Sequence, residues 1–138
     1  MHLTNEQLDR AIGTVLASAV GDALGAPYEF KPPISASTPV EMKGGGSFGW
    51  APGEWTDDTS MAIPVLQALA RGKSLADEAT QDEIVSAWSH WAETAKDVGI
   101  QTRVVLGSLN TLTAASARAG AEAIHQKTGR SGGNGSLM

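Results

Sequence analysis

Residues 4–24 read Thr4-Asn5-Glu6-Gln7-Leu8-Asp9-Arg10-Ala11-Ile12-Gly13-Thr14-Val15-Leu16-Ala17-Ser18-Ala19-Val20-Gly21-Asp22-Ala23-Leu24. Leu8, Ile12, Val15, Leu16, Ala19, Val20, Ala23 and Leu24 recur at steps of three and four, the period of a helix with one apolar face. Thr4 and Gln7 have the spacing of a capping box, and Gly25 and Pro27 supply a stop. The stretch predicts an amphipathic helix from Thr4 to Leu24. Gly13 and Gly21 lie inside it, each costing about 1 kcal/mol relative to Ala. Close approach of another helix is the ordinary reason to keep them.

Outward from that helix, residues 27–55 hold no period and carry Pro32, Pro33, Pro39, Gly44 to Gly46, Gly49, Pro52 and Gly53. A connection that long within a compact domain is usually functional or mobile. Phe48, Trp50 and Trp55 set it apart from a linker, which is poor in aromatics. Helical period returns at Met61, Val65, Leu66 and Leu69, with Pro64 expected in the first turns and Gly72 as the end. Thr80 and Glu83 have capping-box spacing ahead of Ile84, Val85, Trp88, Trp91 and Ala92. A fourth helix is expected from about Thr102 to Arg118 and a short fifth over about Ala119 to Lys127. No segment alternates as a strand does, so the fold class is all-α.

The chain has 138 residues, 41% hydrophobic and 18% charged, which describes one soluble globular unit. It contains no cysteine, which removes disulfides and thiolate metal sites. No apolar run reaches the roughly 18 residues of a membrane span, and Met1 to Arg10 lacks the pattern of a signal peptide. The expected location is cytoplasmic. A net charge of −5 with scattered Lys and Arg argues against a nucleic-acid surface.

Gly53-Glu54-Trp55-Thr56-Asp57-Asp58-Thr59 is the strongest local signal. Carboxylates flanked by hydroxyls at a helix start suit hard cations, which take oxygen ligands. Successive helical side chains point about 100° apart, so Asp57 and Asp58 would serve or bridge two ions rather than clamp one. The same residues also suit plain N-capping, with acids at the positive helix end. Glu29 stands between Tyr28 and Phe30, where an apolar setting can raise a carboxyl pKa toward acid-base use; it equally reads as a surface Glu. Asp97, before Val98-Gly99, reads by itself as a turn residue. Arg130-Ser131-Gly132-Gly133-Asn134-Gly135-Ser136 can cradle phosphate through backbone N–H groups or be a free tail. No two His stand four apart and no Gly-x-Ser-x-Gly occurs, so zincin and serine-hydrolase sites lack support.

Four blocks in order, Gly21-Asp22-Ala23-Leu24-Gly25 with Glu29, Trp55-Thr56-Asp57-Asp58-Thr59-Ser60-Met61, Asp97-Val98-Gly99, and Gly133-Asn134-Gly135-Ser136-Leu137-Met138, resemble the ADP-ribosylglycohydrolase family, which includes the dinitrogenase-reductase-activating glycohydrolases. The resemblance implies an all-α orthogonal bundle about twice this length, of which residues 1–138 would be the N-terminal part. It implies two Mg²⁺ (or Mn²⁺) ions with Thr56, Asp57 and Asp58 among their ligands. Glu29 would lie over the distal ribose and take part in catalysis. Asp97 would contact substrate near the scissile bond, and Gly132, Gly133, Asn134 and Gly135 would wrap the diphosphate and ribose.

The family's late Asp-x-Asp-Thr motif is missing, so the resemblance implies incompletely liganded ions, weak metal binding and little activity from these 138 residues alone. Ile100 follows Gly99 where arginine-directed members tend to carry an acid. The implied function is metal-dependent removal of ADP-ribose from a modified protein side chain or a related conjugate. The alternative is a truncated or inactive relative, binding ADP-ribose or serving as a structural subunit that needs a complementary chain or self-association.

Overall fold

The computed structural model describes residues 3–130, so Gly132, Gly133, Asn134 and Gly135 lie outside the described residues. Five α-helices and one 3₁₀ turn make up the regular structure among them: α1 (Asn5–Gly25), the turn Ala26–Tyr28, α2 (Asp57–Ala70), α3 (Glu78–Ala92), α4 (Ile100–Gly107) and α5 (Ala114–Thr128). A lone antiparallel bridge between Gly45 and Trp50 is the only β-pairing described. The all-α expectation holds. No described helix is long and apolar enough to cross a membrane.

The chain divides into two compact units between Thr59 and Ser60. In the first, α1 begins as its sequence predicts: the Thr4 hydroxyl accepts from the Gln7 amide at 3.2 Å and the Gln7 side chain accepts from the Thr4 amide at 2.9 Å. Its apolar stripe is a different matter. Leu8, Ile12, Val15, Leu16 and Val20 are exposed, and only Ala23 of the stripe is buried. Gly13 and Gly21 have nothing within 4 Å of where a Cβ would sit, so neither marks the close helix approach expected there.

The long connection after α1 is held at several points rather than left loose. Tyr28 Oη donates to the Glu41 carbonyl and accepts from its amide, at 3.1 and 2.9 Å, while the Lys43 ammonium lies 5.0 Å from the Tyr28 ring centre. Gly45 and Trp50 exchange both backbone bonds at 2.7 Å. Phe30 meets Phe48 edge to face and Phe48 meets buried Trp50 at a tilt, at 6.2 and 5.8 Å between ring centres. Gly46 has φ 74°, and a Cβ there would stand 3.0 Å from Pro27 Cα, so this turn requires glycine on two counts.

In the second unit α3, α4 and α5 pack on one another. Ile84, Val85, Val98, Ala68 and Ala114 are buried, and the indole N–H of Trp88 donates to the Met61 carbonyl at 2.8 Å. A groove of about 520 Å³ runs between apolar side chains that include Val65, Ile84, Trp88, Val105 and Ala121. Lys73 and Arg71 both pair with Glu83, holding its carboxyl below the usual carboxylate range, chiefly through the Lys73 hydrogen bond.

Three local expectations are corrected here. Pro64 lies in the interior of α2, not in its first turns, because that helix begins at Asp57. Thr80 does not cap α3: the helix starts at Glu78 behind Asp77, and Thr80 is buried with its hydroxyl donating to Asp77 Oδ2 at 3.3 Å. The helix expected over Thr102 to Arg118 is two. The Ser108 amide and hydroxyl both turn back to the Val105 carbonyl, at 3.1 and 2.8 Å, which ends α4. Thr113 then caps α5 by accepting from Ser116, and Asp82 Oδ1 accepts from the Ala114 amide at 2.7 Å. The apolar period ran through a turn, and the expected fifth helix is the second half of α5.

At the end of α2, Gly72 has φ 73°, and the Lys73 and Gly72 amides return to Ala68 and Leu69 at 3.0 and 2.9 Å, a Schellman closure.

Candidate functional site

Asp22 organises the start of α2. It lies in the last turn of α1, a helix end where the peptide dipoles disfavour an acid. Its carboxylate accepts from Thr56 and Thr59 through both backbone and side chain. The Thr56 hydroxyl donates to Oδ1 at 2.7 Å and the Thr56 amide spans both oxygens at 3.1 and 3.0 Å. The Thr59 hydroxyl and amide donate to Oδ2 at 2.6 and 3.1 Å. Thr56 is buried, and its hydroxyl oxygen is also 3.4 Å from the Asp58 amide.

Thr56, Asp57 and Asp58 are thus brought together at one helix start, with Thr56 buried and the two acids half-buried. Burial raises the Asp58 pKa, and the neighbouring charges of Asp57 and Asp22 raise it further. Three carboxylates exceed the roughly half a positive charge of a helix N-terminus, so this end carries surplus negative charge.

The donor set is all oxygen, which suits Mg²⁺ or Mn²⁺ in kind. With its proton committed to Asp22, Thr56 Oγ1 can meet any further group only as an acceptor, the role a cation needs. No three acidic or histidine side chains converge as a metal cage among the described residues. Asp22 cannot easily join one, since its oxygens serve Thr56 and Thr59. The residues therefore fit part of a coordination shell.

Glu29 follows the 3₁₀ turn in the first unit and is exposed. Its neighbour Phe30 has φ 60°, a left-handed conformation that costs a non-glycine residue about 1–2 kcal/mol. Asp97 belongs to the second unit, half-buried beside buried Val98, with Gly99 leading into α4.

Asp22 is the residue that sequence reasoning passed over. The available signal was an acid in the final turn of a helix, with no basic residue in that turn to answer it. Such a carboxylate is favourable only if donors come from elsewhere in the chain.

A sequence profile described as ADP-ribosylglycohydrolase matches residues 3–138. The chain is 41% identical over 111 residues to the ADP-ribosylarginine hydrolase Tri1 of Pseudomonas putida (strain GB-1), covering 75% of this chain and 29% of that protein. It is 35% identical over 106 residues to the protein of the same name from Serratia proteamaculans (strain 568), covering 74% and 29%. To the ADP-ribosyl-(dinitrogen reductase) glycohydrolase of Rhodospirillum rubrum it is 42% identical over 98 residues, covering 66% and 31%. The chain spans about 30% of the length of these curated relatives.

Proposed function

This chain belongs to the ADP-ribosylglycohydrolase family, and on that footing we propose that it carries part of the site of a hydrolase that removes ADP-ribose from a protein side chain. Arginine is the first acceptor to test, because two relatives are named ADP-ribosylarginine hydrolases. The observation that carries the reading is the Asp22-Thr56-Thr59 knot, which holds the Thr56-Asp57-Asp58 oxygens at one helix start.

In this reading Thr56, Asp57 and Asp58 hold Mg²⁺ or Mn²⁺, two ions in all with further ligands supplied from outside the described residues. Bound there, a divalent ion orients ribose hydroxyls and lowers the pKa of water. The remaining work falls to the chain's own groups. Glu29, exposed on its loop, orients substrate and accepts or returns a proton as the glycosidic bond breaks. Asp97 places a carboxylate where positive charge develops at the anomeric carbon, an interaction stronger in the transition state than in the ground state. Gly132, Gly133, Asn134 and Gly135 supply backbone N–H groups to the diphosphate. The partner is an ADP-ribosylated protein or a small ADP-ribose conjugate.

The test is release of ADP-ribose by the complete gene product, with Mg²⁺, from ADP-ribosylated arginine, ADP-ribosylserine and acetylated ADP-ribose. Release from one of the three, lost in Asp58→Asn, supports the proposal. Folded protein that binds metal and releases nothing from any of them overturns it.

A further inference from the structure

We propose that Asp22 is a positioning residue for cation binding, acting through Thr56 and Thr59 without itself touching the ion; this rests on the metal-holding reading above. Four donors converge on one carboxylate: the amide and hydroxyl of Thr56, just before α2, and the amide and hydroxyl of Thr59, in its first turn. A threonine hydroxyl rotates freely unless something fixes its proton. A proton aimed at the cation would repel it, whereas a proton held by Asp22 at 2.7 Å leaves the oxygen to act as acceptor. The charge-assisted bond also polarises the hydroxyl, increasing the negative charge on its oxygen.

The same carboxylate fixes the backbone. Asp22 holds the Thr56 and Thr59 amides, and Asp57 and Asp58 lie between those two anchors. Their Cα positions are set from both sides by a residue 34 positions before Thr56 in the chain. Partners that orient metal ligands in this indirect way typically change metal affinity by 10–100-fold when removed.

The second unit supplies a control for mere helix capping. Asp82 accepts from the Ala114 amide at 2.7 Å and caps α5 as Asp22 caps α2, with no resemblance-derived ligand beside it. Asp82→Asn therefore reports what loss of a capping carboxylate does to stability alone.

The experiment is titration of the complete gene product with Mn²⁺, following free ion by electron paramagnetic resonance, for wild type, Asp22→Asn, Asp82→Asn and Thr56→Ala. Amide hydrogen exchange at Thr56 and Thr59 is measured in parallel without metal. Expected is a Kd weakened at least tenfold in Asp22→Asn and in Thr56→Ala, and changed less than twofold in Asp82→Asn. Exchange at Thr56 and Thr59 should quicken at least tenfold in Asp22→Asn and stay unchanged in Asp82→Asn. If Asp22→Asn does not fold, Thr59→Val, which removes one of the four donors and no charge, should weaken Mn²⁺ binding two- to fivefold. Wild-type affinity in that variant would overturn the proposal. Asp22→Asn binding Mn²⁺ like wild type while Thr56→Ala does not would overturn the positioning role alone. Absence of Mn²⁺ binding in the wild type would overturn the metal-holding reading and the proposal with it.

Discussion

The Thr56 hydroxyl donates to Asp22 Oδ1 at 2.7 Å, tying the last turn of α1 to the start of α2 across 34 positions of sequence. The Thr59 hydroxyl makes the matching bond to Oδ2 at 2.6 Å. Hydrogen bonds to a charged acceptor contribute about 1.5–3 kcal/mol each when measured singly, and bonds sharing one acceptor do not add. Asp22→Ala is therefore expected to lower the unfolding free energy by about 2–3 kcal/mol in urea denaturation. A loss below about 0.5 kcal/mol would mean that water replaces these bonds at no cost.

Asp58→Asn is expected to act in the opposite direction when divalent ions are removed by chelator. The folded-state pKa of Asp58 is raised by burial and by Asp57 and Asp22. A raised acid contributes stability that is fully present below its unfolded pKa and is lost as pH rises through the folded pKa. The metal-free wild type should thus lose part of its stability as pH climbs through the upper carboxylate range. Asp58→Asn should lack that loss and be more stable at pH 7, by about 0.5 kcal/mol given the exposure of the group. Thermal unfolding at pH 4 and pH 7 in chelator checks the sign, and a variant less stable than wild type at pH 7 would contradict it.

Two glycine substitutions should separate open helix surface from a required turn. A Cβ at Gly13 meets nothing within 4 Å, so Gly13→Ala should stabilise by about 0.5–1 kcal/mol. At Gly46 the positive φ and the 3.0 Å approach to Pro27 Cα make Gly46→Ala destabilising, by about 1–3 kcal/mol. Denaturant midpoints of the two variants should move in opposite directions.

Leu16 gives a further contrast with Trp50. Leu16 is 59% exposed on α1, whereas Trp50 is 6% exposed. Leu16→Gln should change stability by less than about 0.5 kcal/mol, while Trp50→Ala should cost about 3–5 kcal/mol. Equal losses, measured on this chain by urea denaturation, would show that the α1 stripe is covered in solution.

The all-α class and the limits of α1 were legible because Thr4, Gln7 and the following apolar steps act through neighbours three and four residues away. An apolar period or a cap-like residue can still mislead where a turn interrupts the period or burial claims the residue. The Val105 to Ala115 period continued through Ser108, whose hydroxyl returns to the Val105 carbonyl and ends α4. The start of α3 was displaced from Thr80 to Asp77 because a threonine that looks like a cap is here a buried residue. At the candidate site, Thr56-Asp57-Asp58 stood out by composition, and the structure places them together at the start of α2. Asp22 did not stand out, since its four donors come from residues 56 and 59, and no local spacing encodes that pairing.

Paramagnetic broadening by Mn²⁺, read residue by residue in the amide spectrum, bears most directly on whether the α2 start holds a divalent ion. At substoichiometric Mn²⁺ the Thr56, Asp57 and Asp58 amides should broaden first, ahead of Asp77, Glu78, Asp82 and Glu83, a second acidic group near a helix start. First broadening at those α3 acids, or uniform broadening along the chain, would contradict it.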